Sequence, residues 1–295
     1  MSNDLVVQLS DLTNKMLGEP QASLLNGILF GSQVKLPKDL TAALRETGTL
    51  HIVAVSGQNM SILAGFLGKA LGFLGSKLAL VFQAGAIIGY IWLVGGGASV
   101  VRSGIMALIA LVALATGRQA DSGRALVVAA VGMVLIHSDY LTDVGWQLSV
   151  LATAGIIWLE PLISKPLSRF PEILVAPLAV SLAAEIFTWP IIVFNFGIFS
   201  LVSIPTNILI DWTIPWIMAL GAVSLVAGSV WFEVGQALAY LAWVPLTYFV
   251  EVVGVMSNIP SASINVASFS LGLMVFYYSL ISGFIILCLK RVRLS

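Results

Sequence analysis

Long stretches of this chain contain one ionisable residue or none, and that property excludes almost every soluble fold. Residues 98–116 carry only Arg102, 173–196 only Glu185, and 202–228 only Asp211. Each run reaches about the 20 residues that an α-helix needs to cross roughly 30 Å of hydrocarbon. Only 9% of the chain is charged, against about 25% in a soluble domain. Hydropathy predicts nine spans, at roughly 49–68, 76–94, 98–116, 123–138, 145–160, 173–196, 202–228, 232–256 and 266–289. The fold expected is an all-α polytopic membrane domain over 49–295, with short amphipathic surface helices over 1–48 on the extracytoplasmic side. Residues 2–17 and 36–47 have the apolar spacing of such helices, while 20–31 are apolar but short for a span. The N-terminus has no basic segment followed by an apolar core, so no signal peptide is expected. One cysteine, Cys288, leaves no disulfide framework within the chain.

Basic residues concentrate on alternate connections: Lys69 and Lys77, Arg118 and Arg124, Lys165 and Arg169, then Lys290, Arg291 and Arg293. The connections between them carry Asp139 and Asp143 and no Lys or Arg. The positive-inside bias then predicts a cytoplasmic C-terminus. It leaves Lys35, Lys38 and Arg45 outside, partly balanced by Asp39 and Glu46.

The predicted first span is interrupted. Thr47–Gly65 reads TGTLHIVAVSGQNMSILAG, with Ser56, Gly57, Gln58 and Asn59 at its middle. Lipid tolerates such a break only where protein or water satisfies the backbone. Ionisable groups within spans are functional candidates by default, which singles out Arg102, Glu185 and Asp211. Asn207 and Asp211 stand four residues apart, as do Asp143 and Gln147, so each pair shares a helix face; Asp143 also sits where a carboxylate caps a helix. Pro190, Pro205, Pro215 and Pro245 are expected to kink or end helices, as transporters do to build a midplane site.

Catalytic signatures are sparse. His51 and Ser56 are five positions apart on different helix faces, which does not make a hydrogen-bonded dyad. There is no HExxH and no GxxxxGK[ST]. Neither enzyme activity, cofactor nor metal is expected, and ATP is not the chain's own fuel.

Four stretches together resemble the central membrane domain of the ComEC family of bacterial competence proteins. They are LLNGILFGSQVKLPKDLTAALRETGTLHIVAVSGQNMSILAG (24–65), SVVRSGIMALIALVALATGR (99–118), DVGWQLSVLATAGI (143–156) and AEIFTWPIIVFNFGIFSLVSIPTNILI (184–210). The resemblance implies an inner-membrane channel that passes single-stranded DNA into the cytoplasm during transformation. It also implies an extracytoplasmic DNA receptor and a cytoplasmic helicase motor as partners. Full-length members usually add an OB-like domain and a metallo-β-lactamase-like domain, and this chain contains neither. Many members have His where this chain has Asn59, which removes a titratable group from the break. A strand of phosphates needs donors along its path, so Ser56, Gly57, Gln58, Asn59 and Arg102 are the expected DNA path. Lys35, Lys38 and Arg45 would form an outer basic funnel. His51, Asp143, Gln147, Glu185, Asn207 and Asp211 are expected as structural polar partners, since a bare carboxylate would repel DNA. The alternative is a secondary transporter of a small solute, coupled to ions through Glu185 or Asp211.

Overall fold

The computed structural model describes residues 2–31, 36–53, 55–72, 76–266 and 270–294. Helix α1 (Ser2–Met16) is amphipathic: Val6, Thr13 and Met16 are buried, while Asp4, Asp11 and Lys15 are exposed. Helix α3 (Lys38–Glu46) turns Leu40 and Leu44 inward and Lys38, Asp39, Arg45 and Glu46 outward. Helix α2 (Gln21–Phe30), grouped with the surface helices on sequence, is different: every residue from Ala22 to Phe30 is buried. An uncharged helix that is apolar all round has no face to give to water, so it enters the core.

Helices α4 (Leu50–Val53) and α5 (Gly57–Ala70) flank the interruption, followed by α6 (Ser76–Val94), α7 (Ala98–Ala115) and α8 (Ser122–Ile136). A 3-10 turn at Ser138–Thr142 leads to α9 (Val144–Trp158), then α10 (Glu160–Ser164) and α11 (Glu172–Phe196). Strand β1 (Ile198–Ser200) precedes α12 (Ser203–Ile210), a 3-10 turn at Asp211–Thr213, and α13 (Ile214–Val230). Helix α14 (Phe232–Ser257), strand β2 (Ser263–Asn265) and α15 (Leu271–Leu294) complete the chain. The fold is all-α and polytopic. Among the described residues, six helices are long and apolar enough to cross a membrane, or seven if α9 and the 160–167 segment, bent by 41°, count as one span. Three of the nine predicted spans account for the difference. The first is divided between α4 and α5, the fourth is only 15 residues long, and the fifth is the bent pair.

One core joins both ends of the chain: Leu24, Leu25 and Ile28 of α2 pack with Ile214 and Ile217 of α13 and Leu246 and Phe249 of α14. Helices α13 and α14 meet backbone to backbone at Gly228 and Gly235, and Gly155 of α9 lies directly on the carbonyl of Ala183 in α11. Small residues at such crossings let membrane helices approach closely. Strands β1 and β2 pair antiparallel, Phe199 opposite Ile264, so the connections after α11 and α14 lie at the same end.

Pro190 and Pro245 do not end their helices, whereas a helix break precedes Pro215. Helix α11 runs through Pro177 and Pro190, and α14 runs through Pro245. Pro190 has no amide for the Ile186 carbonyl, and the Tyr277 hydroxyl donates there instead at 2.9 Å. Tyr278 donates to the Phe187 carbonyl at 2.7 Å. The true discontinuity is the 3-10 turn that starts at Asp211, ahead of Pro215, where the Tyr248 hydroxyl donates to the Leu209 carbonyl at 3.1 Å.

Candidate functional site

The interruption between α4 and α5 has a structural cause, the C-terminal end of α2 buried against it. Val53 packs on Gly27, and a side chain on Gly31 would lie 3.0 Å from Val55 Cγ2. Gly31 also has φ +79°, which glycine adopts without steric cost. The last carbonyls of a helix have no intrahelical donors, and in a buried end other groups must supply them. Asn59 Nδ2 donates to the Ile28 carbonyl at 3.0 Å, and Tyr90 of α6 donates to the Leu29 carbonyl at 2.9 Å. Asn59 is 1% exposed, so its donor serves α2 and not an open lumen. Gly27 and Gly31 are the sequence signal for this contact: glycines four apart in an apolar run mark a close helix approach.

Ser56 is the N-cap of α5, but its side chain caps no backbone amide. Its hydroxyl donates to Asn59 Oδ1 at 3.4 Å. Gly57 and Ser56 are half-buried and Gln58 is exposed. Arg102 of α7 lies beside this turn: a Cβ on Gly57 would be 3.2 Å from Arg102 Nη2. The two helices run parallel here, since Met60 in turn faces Gly104. The break therefore lies level with Arg102, about 6 Å along the axis from the start of α7 at 1.5 Å per residue. It is near one end of that helix, not at mid-depth.

Arg102 is 3% exposed. Its Nε donates to Ser149 Oγ at 2.9 Å and its Nη1 to Met106 Sδ at 3.0 Å. Ser99 Oγ and Ser149 Oγ are 2.8 Å apart, so α7 and α9 hold the guanidinium together. Among the described residues no carboxylate lies within ion-pair distance of it. Snorkelling to the interface, the ordinary solution for a membrane arginine, is ruled out by this burial. Ser149 was missed on sequence although it belongs to the DVGWQLS stretch that supplied Asp143 and Gln147.

Other candidates are placed elsewhere. Lys38 and Arg45 are exposed on α3, and Lys35 lies outside the described residues. His51 Nδ1 is 3.0 Å from the Gly48 carbonyl, while the Ser56 hydroxyl turns to Asn59, so the two do not form a dyad. Asp143 Oδ1 caps α9 by accepting from the Trp146 amide at 2.6 Å, and Gln147 Nε2 donates to the Leu141 carbonyl at 2.7 Å. Glu185 is half-buried and accepts from Ser203 Oγ at 3.2 Å. Ser203 in turn packs on the turn at Gly48. Asn207 and Asp211 do not form a polar pair; Asn207 Oδ1 is buried without a partner among the described residues, and Asp211 opens the 3-10 turn.

The sequence pattern of the family described as "Competence protein" matches residues 28–292. The chain belongs to that family. ComE operon protein 3 of Bacillus subtilis (strain 168) is 22% identical over 200 residues, 67% of this chain and 25% of the relative. An uncharacterized protein of Escherichia coli (strain K12), YcaI, is 24% identical over 264 residues, 80% of this chain and 34% of the relative. The chain thus spans about a quarter to a third of the curated relatives it matches. No solved structure matches it. The family match covers the interruption, Arg102, Ser149 and Glu185 alike.

Proposed function

We propose that this chain forms the membrane passage through which single-stranded DNA enters the cytoplasm during natural transformation. The observation that carries the reading is Arg102, a cation buried in an apolar domain with no carboxylate beside it among the described residues and an interrupted helix against it. A buried unpaired charge costs several kcal/mol, so it marks a place where an anion belongs. Family membership and the Bacillus relative support the same direction. The passage lies in the bacterial inner membrane with the C-terminus cytoplasmic, as the distribution of basic residues favours. An extracytoplasmic receptor delivers the strand and a cytoplasmic helicase pulls it, since the sequence holds no phosphate-binding loop of its own. The named residues position the strand and do no chemistry on it. Lys38 and Arg45, exposed on α3, serve as its outer electrostatic approach.

The test is transformation by a competent bacterium that carries the chain within its full-length protein. Arg102→Ala is expected to abolish transformation while the protein level holds; a wild-type frequency overturns the reading.

A second reading, an ion-coupled transporter of a small solute, is favoured by one observation. Asp211 sits at a helix break within an apolar run, the arrangement in which transporters bind a substrate or coupling ion. Loss of function in Asp211→Asn with transformation intact in Arg102→Ala selects it.

A further inference from the structure

The guanidinium of Arg102 has three edges, and the fold occupies only two of them. Nε is held by Ser149 and Nη1 by the weak acceptor Met106 Sδ. Nη2 makes no hydrogen bond among the described residues and points to Gly57. Gly57 is the first residue of α5, a helix of 14 residues whose N-cap side chain binds none of its leading amides. The first amides of a helix have no intrahelical acceptor, and the helix dipole adds partial positive charge there. A guanidinium edge with no hydrogen bond among the described residues and a helix N-terminus with no side-chain cap therefore lie side by side.

The junction exists because Gly57 has no side chain: a Cβ there would stand 3.2 Å from Nη2, closer than ordinary contact. It is reached past Gln58, which is exposed, and past half-buried Ser56 and Gly57. The acidic residue at the start of α9, Asp143, is engaged as the cap of that helix. Two donor groups of like sign in a low-dielectric setting fit one tetrahedral monoanion with two charged oxygens: one oxygen for Nη2, one for the α5 amides.

We propose that the N-terminus of α5 and the Nη2 edge of Arg102 bind a single phosphodiester of a nucleic-acid backbone. The strand's phosphates occupy this site one at a time. The inference rests on the proposed passage of DNA and adds where the strand is held and by what. Ser149 is a positioning residue: it fixes the Nε edge so that the Nη2 edge faces the break.

The experiment uses the purified chain in nanodiscs of zwitterionic lipid and a fluorescent thymidine dodecamer. The wild type is expected to bind the phosphodiester strand and not its uncharged methylphosphonate analogue. Arg102→Gln is expected to weaken binding by about ten- to a hundredfold, the range for one charge-assisted contact. It should also flatten the slope of log affinity against log salt by about 0.7, one phosphate's share on a single strand. Gly57→Ala displaces Nη2 from the helix start without removing the charge and is expected to weaken binding while leaving that slope nearer the wild-type value. Arg102→Lys guards against misfolding: it keeps the charge, loses the forked geometry, and should fall between wild type and Arg102→Gln. Wild-type affinity and slope in both Arg102→Gln and Gly57→Ala overturn the inference. Displacement of the dodecamer by phosphatidylglycerol at lower concentration than by unlabelled strand also overturns it, in favour of a lipid headgroup. Strand entry into liposomes that is lost in Arg102→Gln with unchanged affinity sinks this site and leaves the passage standing. A wild-type chain that neither binds nor passes the strand sinks both.

Discussion

Asn59 shows what a residue's chemistry says without its partner. Its polarity inside an apolar segment signals that something must satisfy it, and the sequence offered a strand of phosphates as that partner. The fold supplies a different one, the Ile28 carbonyl at the buried end of α2. The donor was legible and its acceptor was not, because 31 residues separate them. Asn59→Ala is expected to destabilise the protein by about 1–3 kcal/mol, the cost of stranding a buried acceptor. Thermal unfolding in detergent reads this directly. A variant as stable as the wild type excludes Asn59 as the cap of α2. Arg102 is the opposite case: its sequence position fixed its importance, and its surroundings in the fold sharpen it, because burial without a carboxylate removes the bland interfacial reading.

At the scale of elements, proline was visible in the sequence but its consequence was not. A break at Pro190 is the expectation for an isolated helix. The helix continues because α15, 91 residues further on, brings Tyr277 to the carbonyl that proline leaves unpaired. Tyr277→Phe is expected to cost about 1–3 kcal/mol, the penalty for leaving that carbonyl buried and unmet. Restoring an amide with Pro190→Ala should reduce that cost, with a coupling of about 0.5–3 kcal/mol between the two changes. A double-mutant cycle on unfolding free energies measures it, and strict additivity would show that the tyrosine acts elsewhere. The α9–α11 crossing is similarly specific. A Cβ at Gly155 would press on the Ala183 backbone, with the Ala183 carbonyl carbon at 2.9 Å. Gly155→Ala is therefore expected to lower stability by about 1–3 kcal/mol through overpacking. A thermal midpoint equal to the wild type's would mean that the two helices separate at no cost.

For the whole molecule, hydropathy finds where apolar chain lies but not how much of it crosses. It reads α4 and α5 as one span and α8 as another; in the structure α4 and α5 are separate helices packed against the end of α2, and α8 is 15 residues long and packs on α7 and α9. Helix α2 is a related case: its apolar run is legible but short for a span, and its full burial appears only with its neighbours from α13 and α14 in place. Sidedness is a different kind of information, carried by charge and readable without the fold. Gly123 at the start of α8 packs within 3.7 Å of Trp158 at the end of α9, so the two basic connections next to them share one end of the molecule. The positive-inside bias assigns that end to the cytoplasm. In a Cys288→Ser background, Gln119→Cys in the first of these connections should resist a membrane-impermeant maleimide in intact cells and react after permeabilisation. Ser138→Cys, at the other end of α8, should react in intact cells. The reverse pattern would invert the molecule, place the Arg102 site near the cytoplasmic face, and turn Lys38 and Arg45 of α3 from an entrance into an exit.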